Sequence, residues 1–474
     1  MSQQATRERI QKRSLFDKIW DRHVVARRST GPQLIYVDRH FLHDGSFHAF
    51  RQMRDRGLTI RRPDRVFAVP DHYVPTLGRT LEYAANAETA NMMVRFDENM
   101  RWGGISHFPL QDTRQGIVHV VCPEQGLSLP GMIIVCTDSH TSTHGAMGAI
   151  AFGIGQSESV LVLSSQTIWQ NKPHTMRIHV DGIRGQRVSA KDIVLAVIAQ
   201  IGADGAVGYA IEFDGPVIRA MEMEERLTVC NMAIEAGARC GMISPDDITF
   251  QYLHGRPYAP TGAEWDEALR EWQGLPSDPG AVFDRDIKID ITNGAPMVTW
   301  GTSPDTGIAI DAVIPDPALE RDESVRSAME AALVYMDLKP GTPMLGVPID
   351  RVFIGSCTNS RLSDLREAAK MLRGRRACVP GLVVPGSGEV KRAAEREGLD
   401  RVFKEAGLEW REAGCSMCVA MNGDAGRPGE RIASTTNRNF VGRQGSGVRT
   451  HLMSPVMAAA AAVTGKLCDV RHMR

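Results

Sequence analysis

Excess charge is absent from this chain: 55 Lys+Arg against 56 Asp+Glu leave a net charge of −1 over 474 residues. A protein that grips phosphate backbones needs a basic field, so nucleic-acid binding is disfavoured at once. Long hydrophobic runs are absent too. The longest aliphatic stretch, Val456 to Val463, is eight residues and mostly alanine, against the ~20 needed to span a bilayer. The amino-terminal segment MSQQATRERIQKRS is polar, carries Glu8 and has no apolar stretch behind it, which argues against a secretory leader. Cysteine is sparse and odd in number, nine in all, unlike the dense pairing of a small disulfide scaffold. A cytoplasmic protein with reduced thiols is expected.

The remaining composition is that of an ordinary globular protein, 43% apolar and 23% charged, which excludes wholesale disorder. Its length allows two to four domains. With 45 Gly and 25 Pro, a loop-rich α/β protein is expected rather than a helix bundle. Strand-like and helical runs alternate from the start: QLIYV (33–37), a helix from Phe47 to Leu58, RVFAV (65–69), a long helix from Leu81 to Met100, then GMIIVC (131–136). Such alternation predicts α/β layers with chemistry carried on loops at strand ends. After Gln170 the composition changes; the strand TMRIHV (175–180) leads to a helix capped by Ser189. Beyond the amphipathic helix AEWDEALREW, the run FDRDIKIDI is read as opening a new strand-rich block. The domains expected are therefore 1–173, 174–292 and 293–474.

Context divides the cysteines. Cys122, Cys136, Cys230, Cys240, Cys378 and Cys468 stand singly among apolar neighbours and read as small buried hydrophobes. Cys415 and Cys418 form a tight pair in AGCSMC, and Cys357 lies in VFIGSCTNSRLSDL, where a strand (351–354) runs through a polar loop into a helix. Unpaired N–H groups at a helix start stabilise a thiolate. A CxxC pair alone is compatible with redox chemistry, half of a zinc site, or iron–sulfur ligation. Three cysteines on a [4Fe–4S] cluster would leave one iron without a protein ligand, open as a Lewis acid.

The segment STTNRNFVGRQGSGVRTH (434–451) spaces Arg438, Arg443 and Arg449 among Asn and Gly. Guanidinium forks bind carboxylates bidentately, so this loop reads as a polycarboxylate clamp or, more blandly, a solvated basic loop. Three further loops carry histidines: VPDHYVPT with Asp71 and His72, HVVCPEQG with His119, and TDSHTSTHGAMG (137–148) with Asp138, Ser139, His140 and His144. A carboxylate beside an imidazole sets its tautomer and raises its pKa for proton transfer.

Taken together, IGSCTNS, GCSMC, NRNF-x-GR, DH and TDSHT resemble the aconitase superfamily. The resemblance extends through YVDRH (36–40), QGIVHV (115–120), PEQGLSLPGM (123–132), LTVCNMAIEAGA (227–238), VTWGT (298–302), LVVPGSGEVK (382–391) and RTHLMSPVMAAAAAVTG (449–465). It implies three aconitase-type α/β domains around a central cluster cleft, without the family's mobile fourth domain. Cys357, Cys415 and Cys418 would hold a [4Fe–4S] cluster. Asp71 and His72 would deliver a proton to a departing hydroxyl. His119 and His140, with Glu212 of AIEFDG, would order the reacting water or hydroxyl; Asp138 and Ser139 belong to the same group. Arg438 and Arg443 would hold substrate carboxylates, with His43 also at the substrate, and Asn359 and Asn437 would back the cluster or ligand. The implied activity is a dehydration and rehydration that isomerises 2-isopropylmalate to 3-isopropylmalate in leucine biosynthesis. A separate small subunit is expected to supply the missing domain and its base.

Some loops depart from the family pattern. Tyr73 follows His72 where Asn is usual, HDGSFHAF (43–50) is short by about a residue, and FDENMRWGGISHFPLQDTRQG (96–116) is unlike the leucine-pathway sequences. They leave open a paralogue acting on citramalate or citraconate, dimethylmalate or homocitrate. A dehydrogenase reading of AFGIGQSE fails for want of a third glycine and a preceding first strand. An RNA-binding regulator is disfavoured by the near-neutral charge, and a scaffold without a cluster by the presence of all three cysteines.

Overall fold

The computed structural model describes residues 12–473. Three parallel sheets dominate it, each placing a set of strand ends near one cleft. In the first, the strand order is Ser106–His107, Val66–Ala68, Arg39–Leu42, Ile133–Cys136, Ile150–Gly153, all neighbours parallel. Val66–Ala68, Ile133–Cys136 and Ile150–Gly153 read as short apolar runs, the pattern of parallel strands buried on both faces; Ile133–Cys136 is buried at every position. A small antiparallel sheet of Val24–Arg27, Gln33–Tyr36 and Thr167–Gln170 flanks it.

The second sheet orders Cys240–Ile243, Tyr209–Asp214, His174–Asp181 and Arg285–Asp290. Arg285–Asp290, read from sequence as opening a new block, instead closes this sheet by parallel pairing with His174–Asp181, Ile287 opposite Ile178 and Ile289 opposite Val180. Those pairs set its apolar residues against the same core. The helix Ala190–Ile201 begins where expected, with the Ser189 hydroxyl accepting from Asp192 N.

The third sheet orders Glu409–Trp410, Gly381–Val383, Arg351–Ile354, Arg431–Ser434 and Arg449–Leu452, again parallel. The alanine run lies in the helix Pro455–Thr464, where Ala458 to Ala462 are buried; small side chains let it pack closely on Leu362–Leu372. Among the described residues no helix is long and apolar enough to cross a membrane. The polar amino-terminal segment lies largely outside them.

Two readings need correction here. The helix expected over 81–100 is a short 3₁₀ turn, Leu81–Tyr83, and then a separate helix, Ala87–Gly103. Asn86 breaks the run by capping the second helix in a reciprocal pair with Thr89. Of the six cysteines assigned to packing, Cys122, Cys136, Cys230 and Cys240 are buried, but Cys378 is exposed and Cys468 half-buried. Cys378 sits in a surface connection, its thiol donating to the Val463 carbonyl.

Candidate active site

Parallel α/β sheets gather ligands at the carboxyl ends of their strands, and the third sheet delivers its cysteines there. Arg351–Ile354 runs into Gly355, Ser356 and Cys357, and Glu409–Trp410 leads to Cys415 and the turn Ser416–Cys418. All three cysteines are buried. Ser356, Ser416 and Ala420 have φ of 82°, 51° and 55°. A left-handed backbone costs a non-glycine residue about 1–2 kcal/mol, so these loops are held by their surroundings.

Polar groups aim at the sulfurs. Asn231 Nδ2 and Asn437 Nδ2 lie 3.1 and 3.3 Å from Cys357 Sγ. Thr436 Oγ1 and Ser356 Oγ are 3.1 and 3.2 Å from Cys418 Sγ, and Arg443 Nη2 is 4.0 Å from it. Burial pushes the Cys357 thiol up to about 12 and Cys415 well above its ordinary value. Burial opposes ionisation of Cys418 as well, but Arg443, Ser356 and Thr436 outweigh it and lower its pKa.

The spacing bears on what the cysteines could hold. Tetrahedral zinc with bonds of about 2.3 Å brings its sulfurs to about 3.8 Å from one another. Among the described residues, the only group of three or more His, Cys, Asp or Glu side chains with ligand atoms mutually within 4.8 Å is His43, Asp44, Asp71 and His72. The three sulfurs are thus too widely spread to close on one ion. Three buried thiols, two of them faced by Asn, Ser, Thr and Arg donors, fit the wider iron–sulfur cluster that the family resemblance implies.

Opposite the cysteines, the first sheet contributes the histidine loops. His72 Nδ1 is 2.5 Å from Asp71 Oδ1, and the other Asp71 oxygen accepts from Val118 N at 3.0 Å. Asp44 accepts from the backbone N–H groups of His72 and Tyr73, and the His43 ring stacks on His72 with centroids 4.4 Å apart. Burial disfavours charge on His72, but Asp71, Asp138 and Asp44 outweigh it and hold its pKa well above the usual value. Asp138 takes His119 Nε2 at 3.1 Å, the backbone N–H of His140 at 2.7 Å and His72 Nε2 at 3.6 Å. Burial raises its pKa, yet His119, His140 and His72 overcome that and hold it well below the carboxylate range.

The second sheet's contribution corrects the sequence reading. Glu212 lies in a strand, with Ser277 Oγ and Ser244 Oγ donating to its carboxylate at 2.7 and 3.2 Å. It faces neither His119 nor His140. Glu235, at the end of the helix Met223–Met232 and its following turn, accepts from His140 Nε2 at 2.9 Å and pairs with Arg438 Nε at 2.9 Å. Both glutamates follow Ala-Ile: the first sits in AIEFDG, the second in AIEAGA. A strand carries the first into the domain interior, whereas a turn at a helix end points the second into the cleft.

Arg438, Ser139 and Asp138 line an open cleft of about 330 Å³ with Thr137, Gly153 and Ile154. Arg443 stands beside Cys418 and over the Phe440 ring. Asn437 reaches Cys357, whereas Asn359 turns away to Asp364, 3.0 Å from its Oδ1. Sequence reasoning missed Asn231, Ser356 and Thr436 as sulfur partners and Glu235 as the partner of His140. Asn231 and Glu235 both lie in LTVCNMAIEAGA, a segment noted only for its resemblance.

Fold and site set a hydrogen-bonded Asp–His pair opposite three buried cysteines, residue types that suit an aconitase-type hydro-lyase. The profile of the aconitase family (aconitate hydratase) matches residues 17–465, and the chain belongs to that family. It is 54% identical over 466 residues to the 3-isopropylmalate dehydratase large subunit of Roseiflexus castenholzii, covering 97% of this chain and 99% of that one. It is 52% identical over 468 residues to the protein of the same name from Anaeromyxobacter dehalogenans, covering 98% of each. Among solved structures it is similar to holo-form aconitase X from Thermococcus kodakaraensis, at 14% identity and a TM-score of 0.46, covering 86% of this chain and 84% of that one.

Proposed function

We propose that the chain is the large subunit of a 3-isopropylmalate dehydratase and isomerises 2-isopropylmalate to 3-isopropylmalate by removing and restoring water. Identity above 50% along nearly the whole length to two proteins of that name carries the substrate assignment. Cys357, Cys415 and Cys418 would hold a [4Fe–4S] cluster, which when bound supplies a Lewis acid at the one iron without a protein ligand.

This chain's residues do the rest. His72, kept protonated by Asp71 and Asp138, gives its Nε2 proton to the departing hydroxyl; Asp71, held by Val118 N, fixes the ring through Nδ1. His119 and His140 converge on Asp138 and orient the hydroxyl and the water that replaces it. Arg438 and Arg443 bind the substrate carboxylates and offset the negative charge that develops as the carbon-bound proton leaves. Glu235 fixes both His140 and Arg438. The base that takes that carbon proton would come from a small subunit, as would part of the alkyl pocket. Three buried free thiols suit a reducing compartment, and we place the protein in the cytoplasm.

The test is an anaerobic assay of the cluster-loaded chain, alone and with its small subunit, against isopropylmalate, citramalate, dimethylmalate, homocitrate and citrate. Turnover of isopropylmalate by the pair and near-silence of the single chain are expected. Preference for another substrate would reassign it to a paralogous pathway, and full turnover by the chain alone would remove the partner's role.

A further inference from the structure

His144 belongs to no step so far, yet it is fully buried and joins two polar groups. Its Nε2 lies 3.0 Å from His119 Nδ1, and its Nδ1 lies 2.8 Å from Ser128 Oγ. His119 Nε2 in turn lies 3.1 Å from Asp138 Oδ1. Four side chains therefore form one line: Ser128, His144, His119, Asp138. We propose that Ser128 and His144 are positioning residues that lock His119 in its Nε2–H tautomer, so that it always donates to Asp138 and holds that carboxylate in place at the cleft. The role rests on the function proposed above; the tautomer assignment does not.

Both ends of the line require the same polarity. Asp138 is ionised and can only accept, so His119 Nε2 must carry a hydrogen. A neutral imidazole has one N–H, which leaves His119 Nδ1 as an acceptor, and the hydrogen between the rings must come from His144 Nε2. His144 Nδ1 is then also an acceptor, and Ser128 donates to it. The far end agrees independently. Ser128 is fully buried, and His144 is its one side-chain partner among the described residues. Were His144 the donor, the serine hydrogen would be stranded without an acceptor, which costs more than an unused lone pair.

Neutrality of both rings follows from their surroundings. Burial pushes His144 well below the usual imidazole value, helped by nearby His119 and Arg361. Burial also lowers His119, despite Asp138. The ring of Phe41 packs edge-on against His144 at 4.9 Å between centroids.

Its test pairs a spectroscopic readout with kinetics on the full chain and its small subunit. In ¹⁵N-histidine-labelled protein, with resonances assigned through His144→Phe and His119→Gln, both His119 and His144 are expected to show a protonated Nε2 and a bare Nδ1. Ser128→Ala should mix the His119 tautomers and lower kcat on 2-isopropylmalate by about ten- to a hundred-fold with KM little changed. Ser128→Thr keeps the hydroxyl and should restore both. A protonated His119 Nδ1 in the wild-type chain overturns the assignment. A Ser128→Ala protein with unaltered kcat overturns the positioning role, whatever its tautomer. The NMR result is read with or without turnover, so an error in the substrate is distinguishable from an error in the line.

Discussion

Asp138 is the residue on which the histidines depend. Its carboxylate faces His119, His140 and His72, and one negative charge surrounded by donors keeps three imidazoles in order. Glu235 plays the matching part for His140 and Arg438. Replacing it as Glu235→Gln removes the charge that pairs with both, and a loss of about a hundred-fold in kcat/KM is expected. Glu212→Gln should leave turnover within about two-fold; steady-state kinetics on the two variants would decide between the glutamates, and equal losses would return Glu212 to the site. The same substitution has a stability signature. Burial raises Glu212 to about 7, with Ser277 and Ser244 only partly offsetting it. A carboxyl whose folded pKa lies above its unfolded value of about 4.5 makes the fold lose stability as pH rises from about 4.5 to 7. That loss is roughly 3 kcal/mol for a shift of this size, and Glu212→Gln should abolish it. Denaturant unfolding at pH 5 and pH 8 would show a narrower difference in the variant; an unchanged difference would mean that Glu212 is not buried in this way.

At the scale of elements, the site is made by loops that leave parallel strands, and the geometry of those loops is tight. The 3₁₀ segment Ser139–Met147 carries His140 and His144 and is pressed against Cys240–Ile243. A Cβ at Gly145 would collide with the Gly241 carbonyl oxygen, so only glycine permits the approach. Gly145→Ala must push the segment away and is expected to destabilise the protein by about 2–3 kcal/mol while displacing His140 from Glu235. A melting curve and an activity assay would show both effects, and a variant with wild-type values in each would show that the two elements are not in contact. Legibility from sequence follows the same division. Strand-to-loop transitions such as VFIGSC and QLIYV are local, and periodicity exposes them. Residue type and spacing singled out the cysteines and the Asp71–His72 pair, but the cluster and the proton-transfer role came only from the family resemblance. The pairing of Arg285–Asp290 with His174–Asp181 spans more than a hundred residues, and no local pattern encodes it. Glu235 was missed for a related reason: two Ala-Ile-Glu sequences differ in destination only through the element that follows them.

For the molecule as a whole, the three cysteines lie where contributions from all three sheets meet. The backbone N–H of Cys415 donates to the Asp71 carbonyl of the first sheet's loop at 3.0 Å. Asn231, from the helix Met223–Met232 that precedes the second sheet's strand Cys240–Ile243, donates to Cys357 and accepts from Thr358 Oγ1 at 2.9 Å. Asn437, on the third sheet's loop, donates to the same sulfur. A cluster seated on these cysteines would take its protein ligands from the third sheet's loops alone, at the point where residues from the other two sheets contact them. Anything bound only by the folded state stabilises it by mass action, and iron–sulfur ligation by unfolded cysteines lacks this convergence. Chelating the iron anaerobically, under reducing conditions that leave the thiols free, should lower the melting temperature by about 5–10 °C. Asn231→Ala removes a donor to Cys357 without touching a ligand, and should produce a smaller decrease in the loaded protein together with faster cluster loss in air. Scanning calorimetry on loaded and chelated protein, with visible absorbance tracking the cluster, measures both. Identical melting curves before and after chelation would mean that the cluster adds nothing to the stability of the fold and that its role is confined to the chemistry.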